Sequence, residues 1–290
     1  MIYVLIIAYS EASVIRKLVK DYNQFLTLEH YVVVVDNKGD SEIKKYISGI
    51  ENTAYLSSGN LGFGSGINYA LNSINLKPQD LVLVSNDDVE ISKEALDNLI
   101  AGHFQKSKES SKVGPVMPMF IDRSGNKQFE RYEELKANHN HISSVKFGPA
   151  ALWLLNFELI KNVGGFCPLL FMYGEDKEYA HRSRYLGYNP TVVLNSLVTH
   201  EFDYPPKSKS LRLEKEKNTI SSHFLDLNAD KINPHWLAFK GMIYSLITLK
   251  PNRLRYGVLG YLKFLKNMDE LKKVKQQIVN QHAFLFIVNP

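Results

Sequence analysis

Cysteine is nearly absent. Cys167 is the only one in 290 residues, so no internal disulfide can form and the chain suits a reducing compartment. Long apolar runs are missing too: none approaches the roughly 20 residues that a membrane-spanning helix needs. The opening MIYVLIIAYS has neither a basic n-region nor a small-residue cleavage site, and it reads as a strand instead of a signal peptide. Acids run short in one region only. Residues 231–290 hold ten Lys/Arg against Asp269 and Glu270, whereas the 230 residues before them hold 25 bases against 28 acids. The net charge of +5 therefore describes an acidic-to-neutral body with a basic tail. A nucleic-acid enzyme would more often be basic around its cleft. The tail instead points to a docking surface.

What is present is 44% hydrophobic and 22% charged, ample for a core in one large domain or one domain with an appendage. Val4–Ala8 and Tyr31–Val35 are continuous apolar runs, as in strands buried on both faces, and shorter runs at Ala54–Leu56 and Leu81–Val84 follow them. Helical spacing separates them: Val14, Leu18, Tyr22 and Phe25, then Ile67, Ala70, Leu71 and Ile74, then Leu96, Leu99, Ile100 and Phe104. This succession predicts an α/β fold with a mostly parallel central sheet. Beyond residue 110 the pattern is mixed. Strands are expected at Val113–Phe120, Phe147–Leu155 and Val192–His200, and helices at Phe157–Val163 and Glu175–Leu186. Lys207–Lys217 reads as a loop or an exposed helix, and from Pro234 on two or three helices carry interleaved aromatic and basic residues.

In open α/β sheets ligands sit at the carboxyl ends of parallel strands. Those ends hold Ala8-Tyr9-Ser10, Asp36-Asn37, Ser58-Gly59-Asn60 and Asn86-Asp87-Asp88. The last can offer hard oxygen ligands to Mg2+ or Mn2+, or Asp88 or Ser92 can simply cap the next helix. The run from Asn60 through Gly62, Phe63, Gly64 and Gly66 to Asn68 suggests close backbone approach to a ligand, or a tight turn into a helix; its spacing is not the dinucleotide fingerprint. Glu175 and Asp176 open a helix, where they can cap it or provide a general base. His200 follows a strand and is either structural or a ligand.

In this order the segments resemble glycosyltransferase family 2, within it the bacterial rhamnosyltransferase-like and galactofuranosyltransferase-like members. The resemblance covers about residues 3–203. It rests on Leu5–Ser10, Val35–Asn37, Asn60–Asn68, Leu83–Asp88, Gly148–Ala151, Val163–Phe166, Phe171–Asp176 with Arg182 and Gly187, and Val198–His200. It departs from the family at Ser10, at Cys167-Pro168 and at Asn86. The resemblance implies a GT-A fold over about residues 1–230, with a donor half to about 110 and an acceptor half beyond, and a helical extension over 231–290. It implies that Asp36 accepts a hydrogen bond from the donor's base and that the Asn60–Asn68 loop walls the nucleoside. Ala8, Tyr9, Ser10, Asn86 and Asp87 would line the nucleotide-sugar. Asp88 and His200 would hold Mg2+ or Mn2+. Asp176 would be the catalytic base beside Glu175, with Arg182 orienting those carboxylates or a phosphate.

The implied reaction is an inverting transfer from a UDP- or dTDP-sugar, dTDP-rhamnose first, to a glycan or polyprenyl-diphosphate-linked glycan in bacterial surface polysaccharide synthesis. A pyrophosphorylase-type nucleotidyltransferase would need a basic glycine-rich loop after the first strand, and Ala8-Tyr9-Ser10-Glu11 offers none. A catalytically degenerate scaffold in an assembly complex is the non-enzyme alternative. The aromatic and basic extension predicts a peripheral position on the inner face of the plasma membrane; packing on the catalytic domain, or on a second subunit as a homodimer, is the alternative.

Overall fold

The computed structural model describes residues 1–128, 141–201, 206, 208–228 and 233–280. Among them the chain forms eight strands and ten helices. The first half alternates β1 (Ile2–Ala8), α1 (Ala12–Phe25), β2 (His30–Asp36), α2 (Ser41–Ile47), β3 (Thr53–Ser57), α3 (Phe63–Ser73), β4 (Leu81–Asn86) and α4 (Lys93–Glu109). Then follow β5 (Val113–Ile121), β6 (Ile142–Ser144), β7 (Leu152–Asn156), α5 (Phe157–Val163), α6 (Glu175–Tyr185) and β8 (Asn189–Thr199). Four helices close the chain: α7 (Lys209–Leu225), α8 (Pro234–Ile247), α9 (Pro251–Lys266) and α10 (Met268–Val279).

All eight strands share one sheet in the order β3-β2-β1-β4-β7-β5-β8-β6. Pairing is parallel from β3 to β4 and between β5 and β8, and antiparallel at β7 and β6. The apolar runs explain the layers. Side chains alternate along a strand, so Val4, Ile6, Val32, Val34 and Leu83 enter one core while Leu5, Ile7, Val33, Val35, Val82 and Val84 enter the other. The register aligns the strand ends: Ala8 pairs with Asp36, Asp36 with Ser57, and Ile7 with Asn86. The carboxyl ends of β1 to β4 thus bring the candidate site residues into a row.

The predicted strand at Phe147–Leu155 is shorter than expected and begins only at Leu152; residues 147–151 form a loop. The Lys207–Lys217 stretch enters a helix from Lys209, and that helix is not wholly exposed, since Lys217 and Asn218 are buried. Because β7 lies between β4 and β5, the two halves expected on either side of residue 110 share a single sheet. The boundary expected at 230/231 lies outside the described residues. The closing helices have a small core of their own, in which Ile220, Leu225, Phe264, Leu271 and Ile278 meet Cys167 and Leu170. No described helix is long and apolar enough to cross a membrane.

Candidate functional site

At the end of β1 the chain turns under the control of Asp87, whose Oδ2 accepts the N–H groups of Tyr9 and Ser10, each at 2.6 Å. Burial pushes the Asp87 carboxyl above its ordinary range, and these two bonds hold it back. Asp87 therefore fixes the expected Ala8-Tyr9-Ser10 wall in place. Ala8 itself is buried and Tyr9 is exposed.

Asp36 is fully buried. Its Oδ1 accepts the N–H groups of Lys38 and Gly39, and its Oδ2 accepts Asp40 N–H and the Tyr55 hydroxyl, all at 2.7–2.8 Å. The acceptor expected to meet a donor's base thus already takes four bonds inside the protein, three of them from the 38–40 backbone, and it shapes that turn. Asn37 does similar work: it accepts from the Ser58 hydroxyl and donates to Gly62 O at 3.1 Å.

The glycine run needs its glycines chiefly for packing. Gly62 has φ +82°, and a Cβ there would lie 2.0 Å from the carbonyl oxygen of Phe171. A Cβ on Gly64 would lie 2.8 Å from Phe166 Cβ, whereas one on Gly66 would meet nothing closer than 3.4 Å. Phe63 packs edge-on against Phe166. Asn60 (φ +63°) sits exposed at the start of the run, a backbone state Asn tolerates better than most residues. Asn68, expected to touch the nucleotide-sugar, is buried: it donates to Phe166 O (2.8 Å) and accepts from Phe166 N–H (2.7 Å). This carboxamide locks the glycine run to the Gly164-Gly165-Phe166 turn.

Asp88 and His200 do come together. Glu90 and Thr199 exchange backbone hydrogen bonds of 2.8 and 3.1 Å, which draws the segment after β4 to the end of β8. His200 Nε2 then faces Asp88 Oδ1 at 3.5 Å. Ser92, not Asp88, caps α4, by accepting Ala95 N–H at 3.1 Å. That leaves the Asp88 side chain 58% exposed. Its surroundings oppose the charge by desolvation, but His200 and the Asn86 side chain outweigh this and hold the carboxyl below its ordinary range. An ionised carboxylate facing an imidazole, with a carboxamide beside it, is a donor set that a divalent cation can share. Among the described residues no third His, Cys, Asp or Glu completes such a group. The remaining ligands would be water or a diphosphate.

The carboxylate pair at the start of α6 is positioned by two successive left-handed residues, Tyr173 (φ +66°) and Gly174 (φ +89°). Asn218 on α7 supports this turn by donating to Met172 O at 2.9 Å. Glu175 is buried, and one of its carboxylate oxygens has no partner among the described residues. Desolvation raises the Glu175 carboxyl well above its ordinary range, and the neighbouring Asp176 charge raises it further. Asp176 is pushed by burial to about 6, held there by backbone N–H groups that include Lys177 and Ala150. Burial thus disfavours the charge on both members of the pair, and each charge disfavours the other.

The loop before β7 runs past both groups. Ala151 O accepts Asn86 N–H at 2.8 Å, and the neighbouring Ala150 N–H favours the charged form of Asp176.

Arg182 is placed differently from expectation. Its guanidinium is buried and bonds both oxygens of Glu178 (2.7 and 3.0 Å), Gly165 O (2.8 Å) and Val163 O. It neutralises Glu178 one turn back on α6 and holds the Gly164-Gly165 turn. Lys177 was not anticipated: its Nζ lies 2.9 Å from His223 Nε2 on α7, and burial lowers its affinity for a proton. A lysine next to a candidate base was visible in sequence, but its helix partner, 46 residues away, was not.

No protein-family profile matches the chain. Over 198 residues it is 24% identical to the low-salt glycan biosynthesis hexosyltransferase Agl10 of Haloferax volcanii, a match covering 62% of this chain. The chain spans 61% of that relative's length. Among solved structures it is similar to mannosyltransferase PcManGT from Pyrobaculum calidifontis, in complex with GDP-Man and Mn2+. The TM-score is 0.58 at 15% identity, over 97% of this chain and 85% of that one. At that identity the likeness establishes the fold, a GT-A-like α/β architecture, as expected from the sequence.

Proposed function

We propose that the chain is a metal-dependent glycosyltransferase that moves one hexosyl unit from a nucleoside-diphosphate sugar to a hydroxyl of a glycan or lipid-linked glycan, with inversion. The observation that carries this reading is the meeting of Asp88 and His200 at 3.5 Å after β4 and β8, supported by the loop that bonds Asn86 through Ala151 and passes Asp176 at Ala150. The named hexosyltransferase relative and the GDP-Man-bound structural neighbour support it.

Asp176 would take the proton of the acceptor hydroxyl as that oxygen attacks the anomeric carbon. A group titrating just below working pH is mostly deprotonated, yet still basic enough to pull a proton. Glu175, kept neutral, would leave Asp176 as the only charged member of the pair. Asp88, His200 and Asn86 would hold Mg2+ or Mn2+, with the imidazole tilting the choice to Mn2+. A bound cation supplies charge neutralisation for the leaving diphosphate. Tyr9 and Ser10, fixed by Asp87, and the Asn60–Gly66 turn would flank the nucleotide. Sequence resemblance puts dTDP-rhamnose first among donors, with UDP-galactose, UDP-galactofuranose and UDP-glucose behind it, and a role in surface polysaccharide synthesis.

The test is a donor panel with Mn2+ that includes these four and GDP-mannose, read by thermal stabilisation and by donor hydrolysis. The true donor at about 100 times its Kd adds about 2.7 kcal/mol of stability. A protein that neither binds nor hydrolyses any nucleoside-diphosphate sugar, with or without metal, is not a transferase.

A further inference from the structure

Helices α8 and α9 pack against each other and both pack on α7, α9 more extensively. Their buried positions are small or few: Ala238 and Ser245 on α8, Gly260 and Phe264 on α9. A Cβ on Gly260 would come within 2.6 Å of Glu216 Cβ, so close approach to α7 is built in. The large apolar side chains of α8 point the other way. Trp236, Phe239, Ile243 and Ile247 recur at three- and four-residue spacing, one helical stripe, and all are exposed. A helix that packs by its small residues and presents its large apolar ones outward is the inverse of an ordinary surface helix.

The stripe ends in a turn whose residue choice is costly. Lys250 N–H bonds Ser245 O (2.9 Å) and Leu249 N–H bonds Leu246 O (3.2 Å), the paired bonds of a Schellman helix end. The residue in the left-handed position is Leu249, at φ +50°. That backbone state favours glycine, and a side chain 86% exposed favours a polar residue. Leucine satisfies neither. Beside it Ile247 is 76% exposed. Charge adds a second, independent constraint. Residues 234–267 contain Lys240, Lys250, Arg253, Arg255, Lys263 and Lys266 and not one acid. Among the described residues only Lys263 of these six has an acid within ion-pair distance, Glu214.

We infer that the α8–α9 hairpin is a membrane-docking element that seats its Ile247–Leu249 tip and the Trp236–Ile247 stripe in an anionic bilayer surface. A second copy of the chain would bury the same apolar side chains but would bring another acid-free, six-cation face against this one. An anionic leaflet offers apolar depth and opposite charge together. This goes beyond the transferase reading and does not rest on it, because it needs no donor and no turnover.

The test uses the full chain and vesicles of phosphatidylcholine with or without phosphatidylglycerol. The protein should sediment with the anionic vesicles at low salt and release as salt rises. Trp236 is a built-in reporter: it is 57% exposed, whereas Trp153, the only other tryptophan, is fully buried. Emission should shift to the blue on anionic vesicles, and Trp236→Phe should abolish the shift. Ile247→Glu combined with Leu249→Glu should lower vesicle affinity at least tenfold with an unchanged circular dichroism spectrum. Leu249→Gly should raise Tm while weakening vesicle binding, a pairing that a purely structural residue would not give. The inference is overturned if the chain ignores anionic vesicles at low salt. It is also overturned if Trp236 shifts to the blue with protein concentration alone and the double Glu variant turns a dimer into a monomer.

Discussion

Asn68 holds Phe166 by both faces of its carboxamide, donating to its carbonyl at 2.8 Å and accepting its N–H at 2.7 Å, across 98 residues of sequence. Phe166 in turn stacks on Tyr179 at 4.8 Å and on Trp153 at 6.1 Å. One amide therefore couples the glycine run to the helix that carries Asp176. Asn68→Ala would leave two backbone groups buried and unpaired, at a cost of about 2–4 kcal/mol in urea unfolding. A variant as stable as the wild type would remove Asn68 from this role.

The glycine run offers a cleaner separation of packing from ligand approach. Gly62→Ala places a Cβ 2.0 Å from Phe171 O at a positive φ, so the chain should fold poorly. Gly66→Ala meets only ordinary contacts and lies in α3, where Ala is favoured over Gly by about 1 kcal/mol. It should be neutral or stabilising. Loss of donor affinity in a well-folded Gly66→Ala protein would identify Gly66 as the point where the backbone meets the nucleotide.

Asp88→Ala should abolish the metal dependence of donor affinity and most turnover, while leaving the fold intact, because its side chain is largely exposed. Isothermal titration of donor with and without Mn2+ reads this directly. Full activity in excess chelator would show that no divalent cation takes part.

Asp176 as base predicts that kcat/KM rises with pH through about 6, the value to which burial pushes its carboxyl. Asp176→Asn should keep donor affinity and lower turnover by roughly 10² or more. An inactive Glu175→Gln beside an active Asp176→Asn would reverse the assignment.

Stability should move the opposite way. A raised folded pKa means that the folded chain binds more protons than the unfolded one between the ordinary carboxylate range and about 6. Stability from this group therefore falls as pH rises through that window. Asp176→Asn should be more stable than wild type above about pH 6 and should match it more closely near pH 4, as thermal melts across that range would reveal.

Sequence made legible what depends on local chemistry. The helix Phe157–Val163 was bounded correctly because Asn156 caps it and Gly164 takes the left-handed exit. The strands β1, β2 and β4 announced themselves as apolar runs because both faces are covered, whereas the edge strand β3 is only half-buried. The three-residue β6 had no signal to give, and residues 147–151 look like strand but form a loop in which Ala151 O accepts Asn86 N–H. Within the site, the nearness of Asp88 and His200 came only from family resemblance, since the Glu90–Thr199 bridge that creates it joins distant strands. The partner of Arg182 was readable: Glu178 stands four residues back on the same helix, the spacing at which side chains meet. The bonds of Asn68 to Phe166 had no signal in the sequence, because backbone leaves no mark in a sequence pattern.

The strand order also governs how the chain is born. β4 receives its second neighbour only when β7 is made, after residues 87–151 have been synthesised. At ribosomal speeds of roughly 5–20 residues per second, this leaves the apolar edge of Leu81–Val84 unpaired for on the order of several seconds. A chain stalled in that interval exposes β4 as an open, apolar sheet edge to which another strand can pair.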